Sequence, residues 1–247
     1  MPFPKQIEVS SEKTQSRIVL ALDLEHDDHS VLIKKCYEVL EAVYGYICAV
    51  KINRQLVLAL GLPTVGQIVQ EVHKHSLPVI MDAKLNDVGH TNSFMLKSYI
   101  VAGFDAVIAS PISGWTGGMD SVFECAKKED KGIILLVYMS NPGADEFYSM
   151  MASTEGVLKP VYEIFTKMAV EWGADGLVVG ATRPEIIRRV RTLAGPSMDI
   201  YSPGVGAQGG DAKNAVESGS DYLIVGRTIY ASKSSRDTAR ELRMSIK

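Results

Sequence analysis

Short apolar runs rich in β-branched residues alternate with longer amphipathic stretches from Arg17 to the end of the chain. The runs predict strands at residues 18–23, 46–51, 78–84, 106–109, 132–138, 176–179, 199–202 and 222–225. Helical period is clear at 31–43, 66–74, 92–102, 161–171 and 185–194. Strand-helix alternation demands a parallel sheet, and eight units favour closure into a (β/α)₈ TIM barrel over an open doubly wound sheet. One joint recurs three times: Gly103-Phe104-Asp105, Gly173-Ala174-Asp175 and Gly219-Ser220-Asp221 each precede an apolar run. The glycine suits a helix end that needs positive φ, and the aspartate starts the turn into a buried strand. The loosest stretch, residues 141–156, reads as a long βα loop, the kind of segment from which such barrels build active sites.

Length fits this picture, since 247 residues is the usual size of one such barrel. Residues 17–247 are read as the barrel domain and residues 1–16 as an N-terminal extension. That extension carries Lys5, Glu8, Glu12 and Lys13 and lacks the apolar core of a signal peptide. No apolar run approaches the roughly 20 residues of a spanning helix, so no membrane partner is expected. A net charge of −3 argues against a nucleic-acid partner, which selects a strongly basic face. Cys36, Cys48 and Cys125 show neither disulfide nor zinc spacing, which points to a reducing, cytoplasmic compartment. His26, His29, His73, His75 and His90 are too scattered to hold a metal and read as surface residues, and Trp115 and Trp172 read as packing residues.

The densest chemistry lies in Met81-Asp82-Ala83-Lys84-Leu85-Asn86-Asp87-Val88-Gly89-His90-Thr91. A side-chain period of two puts Asp82 and Lys84 on one side of the third strand, about 7 Å apart at Cα. Asp23 ends the first predicted strand and Lys51 the second, so a barrel brings all four charges to one mouth. Asp-x-Lys alone is equally an ion pair on a strand end. In the cluster, each ammonium compensates neighbouring carboxylates; a carboxylate leaving group against Asp82 would meet like charge, and the carbanion left behind would meet Lys84. After the seventh strand, Ser202-Pro203-Gly204-Val205-Gly206-Ala207-Gln208-Gly209-Gly210-Asp211 is followed, after the eighth, by Gly226-Arg227-Thr228. Loops at those positions commonly bind phosphate through backbone N–H groups, and Arg227 adds a bidentate cation. Ser140 and Asn141, after the fifth strand, suit a polar substrate head or a plain turn.

These residues resemble the orotidine 5′-monophosphate decarboxylase family in its compact archaeal or bacterial form. The match runs from about Arg17 to Tyr230: Asp23 in Ala-Leu-Asp, Lys51 in Val-Lys-Ile, Asp82-x-Lys84-x-x-Asp87 with Thr91, Ser140 in Met-Ser-Asn-Pro-Gly-Ala, and the glycine-rich segment followed by Ile-Val-Gly-Arg. The resemblance implies a catalytic network of Lys51, Asp82, Lys84 and Asp87 that works without cofactor or metal, with Lys84 protonating C6 of the pyrimidine. It implies that Asp82 lies against the departing carboxylate and that Lys51 and Asp23 orient the ribose. Ser140 would read the base, Gln208 would bridge base and phosphate with Pro203 in the same closing loop, and Gly226 and Arg227 would grip the phosphate. Asp87 and Thr91 would be contributed across a homodimer interface to the neighbour's site. Asn53 and the long segment 110–118 with Trp115 depart from the archaeal pattern. The sister sugar-phosphate decarboxylases and synthases place a metal-site Glu where Lys51 stands here and lack the segment from Ser202 to Gly210. A Schiff-base aldolase would need a depressed Lys84 pKa, which nearby carboxylates oppose. A silent nucleotide-phosphate binding protein would have no use for the complete tetrad.

Overall fold

The computed structural model describes residues 1–154 and 156–246. In chain order its strands are β1 (Ile18–Ala21), β2 (Ala49–Asn53), β3 (Val79–Leu85), β4 (Ala106–Ala109), β5 (Gly132–Tyr138), β6 (Met151–Thr154), β7 (Val157–Pro160), β8 (Gly176–Val179), β9 (Ile200–Pro203) and β10 (Tyr222–Val225). Eight of them close a parallel barrel in the order β1-β10-β9-β8-β5-β4-β3-β2, sealed where Ile18, Val19 and Leu20 pair with Leu223, Ile224 and Val225. Helices cover the outside, so the barrel strands are buried on both faces, and both sets of alternating positions must be apolar. Val19, Ile80, Ile108, Ile134, Leu136, Val178 and Ile224 fill the interior. Leu20, Val50, Met81, Val107, Leu135, Leu177 and Leu223 pack outward against the helices.

Two boundaries differ from expectation. The run at 46–51 begins with a single 3₁₀ turn, Tyr44–Tyr46, and β2 extends to Asn53, so Lys51 stands within the strand rather than at its end. Strand β1 stops at Ala21, and Asp23 lies beyond it. Segment 141–156 is also no plain loop: it holds the short helix Ala144–Tyr148 and β6, which pairs antiparallel with β7. The local alternation of Met151, Ala152, Ser153 and Thr154 had too few positions to announce a strand.

The three-fold joint has a sharper role than a turn. Gly103, Gly173 and Gly219 have φ of 100°, 70° and 110°. The following aspartates each accept a backbone N–H from the start of the neighbouring strand: Asp105 from Val79 at 2.9 Å, Asp175 from Ile133 at 2.8 Å and Asp221 from Ile200 at 2.8 Å. Strands that must run parallel are thereby pinned at the foot of the barrel. Residues 1–16 close that foot: helix Phe3–Thr14 inserts Phe3 and Ile7 into the interior cluster, and Ser10 donates to the Cys48 carbonyl at 2.7 Å. Gly132 admits the Phe3 ring, because a Cβ there would lie 2.6 Å from it.

Asp199, at this same foot, is pushed up to about 7 by burial and by the nearby carboxylates of Asp221, Glu8 and Asp175, against the opposing pull of Arg191. The folded chain therefore holds a proton that the unfolded chain releases near pH 3.8. The contribution of this group to stability falls as pH rises from about 4 to 7 and then levels. Asp199→Asn is expected to raise Tm at pH 8, by up to about 4 kcal/mol in stability, and to do little at pH 4. Thermal melts across that range check it, and an unchanged slope would exclude this titration.

Candidate active site

The C-terminal ends of the strands surround a cavity of about 260 Å³. Its floor is apolar, built by inward residues Ala21, Ile108, Leu136, Val178 and Ile224. On one side stands a chain of charges. Lys51 Nζ lies 3.4 Å from Asp23 Oδ1 and 3.0 Å from Asp82 Oδ2, and Lys84 Nζ lies 2.5 Å from Asp82 Oδ1. Lys51 is 4% exposed and Asp82 9%, so the middle of the network is desolvated, while Asp23 and Lys84 are partly open to solvent. Burial favours the neutral Asp82 carboxyl, but Lys51 and Lys84 outweigh it and hold it at about 2. Burial likewise opposes the Lys51 charge, and Asp82 with Asp23 raises its pKa above the ordinary lysine value all the same. Both partners stay ionised, and the ammonium of Lys51 stands between the two carboxylates.

Lys84 is placed by strain. It has φ of 47°, and the pairing of β3 with β4 shifts register between Met81 and Leu85. A left-handed lysine costs about 1–2 kcal/mol, which the ion pair to Asp82 offsets. Asp23 is braced through its carbonyl, which accepts from Gln55 Nε2 and the Tyr230 hydroxyl, both at 3.2 Å. Asn53, the departure next to this site, caps helix Arg54–Leu60 by accepting the Gln55 N–H at 2.8 Å.

Across the cavity, Gly204, Gly206 and Gly209 have φ of 96°, 71° and 90°, a path side chains rarely follow. The loop is tied to itself by Gly206 N–H to the Gly210 carbonyl, 2.8 Å, and to the short helix after β10 by Thr228. Thr228 Oγ1 accepts from Ala207 N–H and donates to the Val205 carbonyl, each at 3.1 Å. Arg227 opens the short helix Arg227–Tyr230 after Gly226, and its guanidinium has no hydrogen bond or ion pair among the described residues. Ser140 lines the wall between, its carbonyl accepting from Thr182 at 3.1 Å.

Asp23, Lys51, Asp82, Lys84, Ser140, Pro203, Gln208, Gly226 and Arg227 thus line one cavity. Asp87 and Thr91 do not line it. Asp87 is exposed, its backbone bracketed by the buried Asn92 side chain, which accepts from Asp87 N–H at 3.1 Å and donates to the Asp87 carbonyl at 2.6 Å. Asn92, Gln55, Thr228 and Tyr230 were not singled out by the sequence; only Thr228, beside Arg227, carried a positional hint. Histidines stand apart from the site: His73 bonds Asp105 at 2.8 Å and His75 stacks on Tyr44.

The family model for the "Orotidine 5'-phosphate decarboxylase / HUMPS family" matches residues 16–242. The chain belongs to this family. It is 36% identical over 231 residues to the orotidine 5'-phosphate decarboxylase of Methanosarcina acetivorans, covering 93% of this chain and 94% of that one. The orotidine 5'-phosphate decarboxylase of Pyrococcus horikoshii superposes with a TM-score of 0.75 at 33% identity, covering 93% and 98% of the two chains. The Methanocaldococcus jannaschii enzyme, solved with the inhibitor BMP, superposes with a TM-score of 0.79 at 29% identity, covering 94% and 98%.

Proposed function

We propose that the chain decarboxylates orotidine 5′-monophosphate to uridine 5′-monophosphate, the last step of de novo pyrimidine nucleotide synthesis, without a cofactor. The observation that carries this reading is the Lys51–Asp82–Lys84 chain, desolvated at Lys51 and Asp82, standing over an apolar floor opposite a free Arg227. The pyrimidine lies on the floor with its carboxylate toward Asp82. Like charge at close range in a dry site disfavours the bound carboxylate, and breaking the C6–CO₂⁻ bond relieves it. The electron pair stays on C6, where the Lys84 ammonium stabilises it and delivers a proton; Lys84 is then reprotonated from solvent. Lys51 and Asp23 hold the ribose, Ser140 reads the base, Gln208 joins base to phosphate beside Pro203, and Gly226 with Arg227 takes the phosphate. Binding energy from the distant phosphate is thereby available to hold the loop closed over the reacting carbon. The direct test is loss of the orotate chromophore with chelator-treated enzyme. Turnover establishes the reaction and its metal independence; silence from folded protein would return the chain to the metal-dependent branch.

A homodimer completes the site in this reading. Leu58, Val88, Phe94, Val101 and Ile112 are large apolar residues left exposed, and Val88 and Phe94 stand close in sequence to Asp87 and Thr91. Large apolar side chains left exposed beside Asp87 and Thr91 suit an interface there. A second cavity beside Lys84, lined also by Arg54, Asn86 and Ile112, opens a way for a neighbour's Asp87 and Thr91. Three free, buried thiols suit a reducing cytoplasm.

The loop argument yields a separate expectation. A Cβ at Gly206 would lie 2.4 Å from Thr228 Oγ1 in a left-handed conformation. Gly206→Ala is expected to raise KM for the nucleotide at least about 10-fold with little change in Tm. Slow turnover of the phosphate-free nucleoside should be unaffected, and equal loss with both substrates would place the damage elsewhere.

A further inference from the structure

A further cavity, of about 550 Å³, opens on the outer wall of the barrel between helix Asp120–Lys128, the end of helix Val161–Trp172 and the first residues of the N-terminal helix. It shares no lining residue with the active-site mouth. One wall is aromatic. Trp115 lies 5.3 Å from Trp172 and 5.5 Å from Phe123 between ring centroids, yet remains 40% exposed. The turn that presents it is fixed in place: Gly114 and Gly117 have φ of 73° and 71°, and Asp120 accepts the Gly117 N–H at 2.9 Å.

The other wall is charged and unbalanced. Asp120, Glu124, Asp130 and Asp175 face Lys127 and Lys131, four carboxylates against two ammoniums. Lys131 is already engaged by Asp105 at 3.3 Å. Glu124 and Asp130 have no hydrogen bond or ion pair among the described residues, and Asp175 commits Oδ2 to the Ile133 N–H. Such a lining repels phosphates and nucleotides. Among the described residues it also lacks the three convergent ligands a bare metal ion needs. What fits is a ligand with apolar stems and positive ends.

We propose that this cavity binds a linear organic amine, its methylenes against the indoles and its ammonium groups on Glu124, Asp130 and Asp175. Aromatic faces attract cations, and unpaired carboxylates beside them add charge complementarity in a volume typical of small-molecule sites. Sequence patterning gave Trp115 and Trp172 only a packing role, because the barrel alone brings residues 57 positions apart to one wall.

The test is built into the chain, whose two tryptophans both line this cavity. Spermidine titrated into the full-length protein at constant ionic strength should change indole fluorescence saturably below about 1 mM. Glu124→Gln, a change at an exposed position, should weaken the effect at least about fivefold, and Trp115→Ala should weaken binding measured by calorimetry by a similar factor. Decarboxylase activity should be unchanged in both variants. No saturable signal up to about 10 mM, or the same signal from sodium chloride of equal ionic strength, overturns the proposal. Self-association that Trp115→Ala abolishes would assign the cavity to a second copy of the chain and overturn it equally.

Discussion

Lys84→Ala is expected to lower kcat by at least about four orders of magnitude while the protein stays folded. The ammonium of Lys84 is both the counter-charge for electrons arriving at C6 and the source of the proton that follows, so one truncation removes two contributions. Lys51 cannot replace it, since it is held between Asp23 and Asp82. Stability should change little: the lost ion pair to Asp82 is partly exposed on the lysine side, and Asp82 keeps Lys51. Lys84→Gly separates the effects further. It should be as inactive as the alanine variant and more stable than it by about 1 kcal/mol, because glycine accepts the φ of 47° that alanine resists. Steady-state assays with thermal melts decide the matter, and near-wild-type turnover in either variant would remove Lys84 from the chemistry.

Mixing two inactive variants is the second large effect expected. Asp87 lies outside the cavity of its own chain, so in the shared-site reading it serves the neighbour. A dimer of one Lys84→Ala and one Asp87→Ala subunit then contains one intact site and one doubly damaged site. At equal concentrations and full exchange, half the dimers are mixed, and activity should return to about a quarter of wild type. Mass spectrometry can verify that exchange has occurred. Exchange without recovery would place Asp87 in its own subunit's site or outside the site altogether.

Much of this was legible in the sequence because a barrel strand buried on both faces must be apolar throughout, and short apolar runs separated by helical period leave few other folds open. The charges at strand ends stood out for the same reason: Lys51 and Asp82 interrupt runs that are otherwise apolar. The repeated Gly-x-Asp joint was visible as a pattern, but its purpose was not. The aspartates reach across to a neighbouring strand, and no local signal encodes the partner of a hydrogen bond 21 to 42 residues away. Segment 141–156 hid its helix and strand for the opposite reason: both are too short to show a period.

Sequence alone therefore determined the eight barrel strands, the parallel barrel and the residue types available at its mouth, since these follow from local periodicity and from where charge breaks an apolar run. Tertiary structure decided which charges touch. Lys51 sits between Asp23 and Asp82, Lys84 turns back on Asp82 through a left-handed bulge, and Thr228 ties the glycine loop to the short helix after the last strand. It also turned residues 1–16 into the seal at the barrel foot and gathered Trp115, Phe123 and Trp172 on the outer wall. Those outcomes depend on distances between segments remote in the chain, which barrel closure sets and local sequence does not.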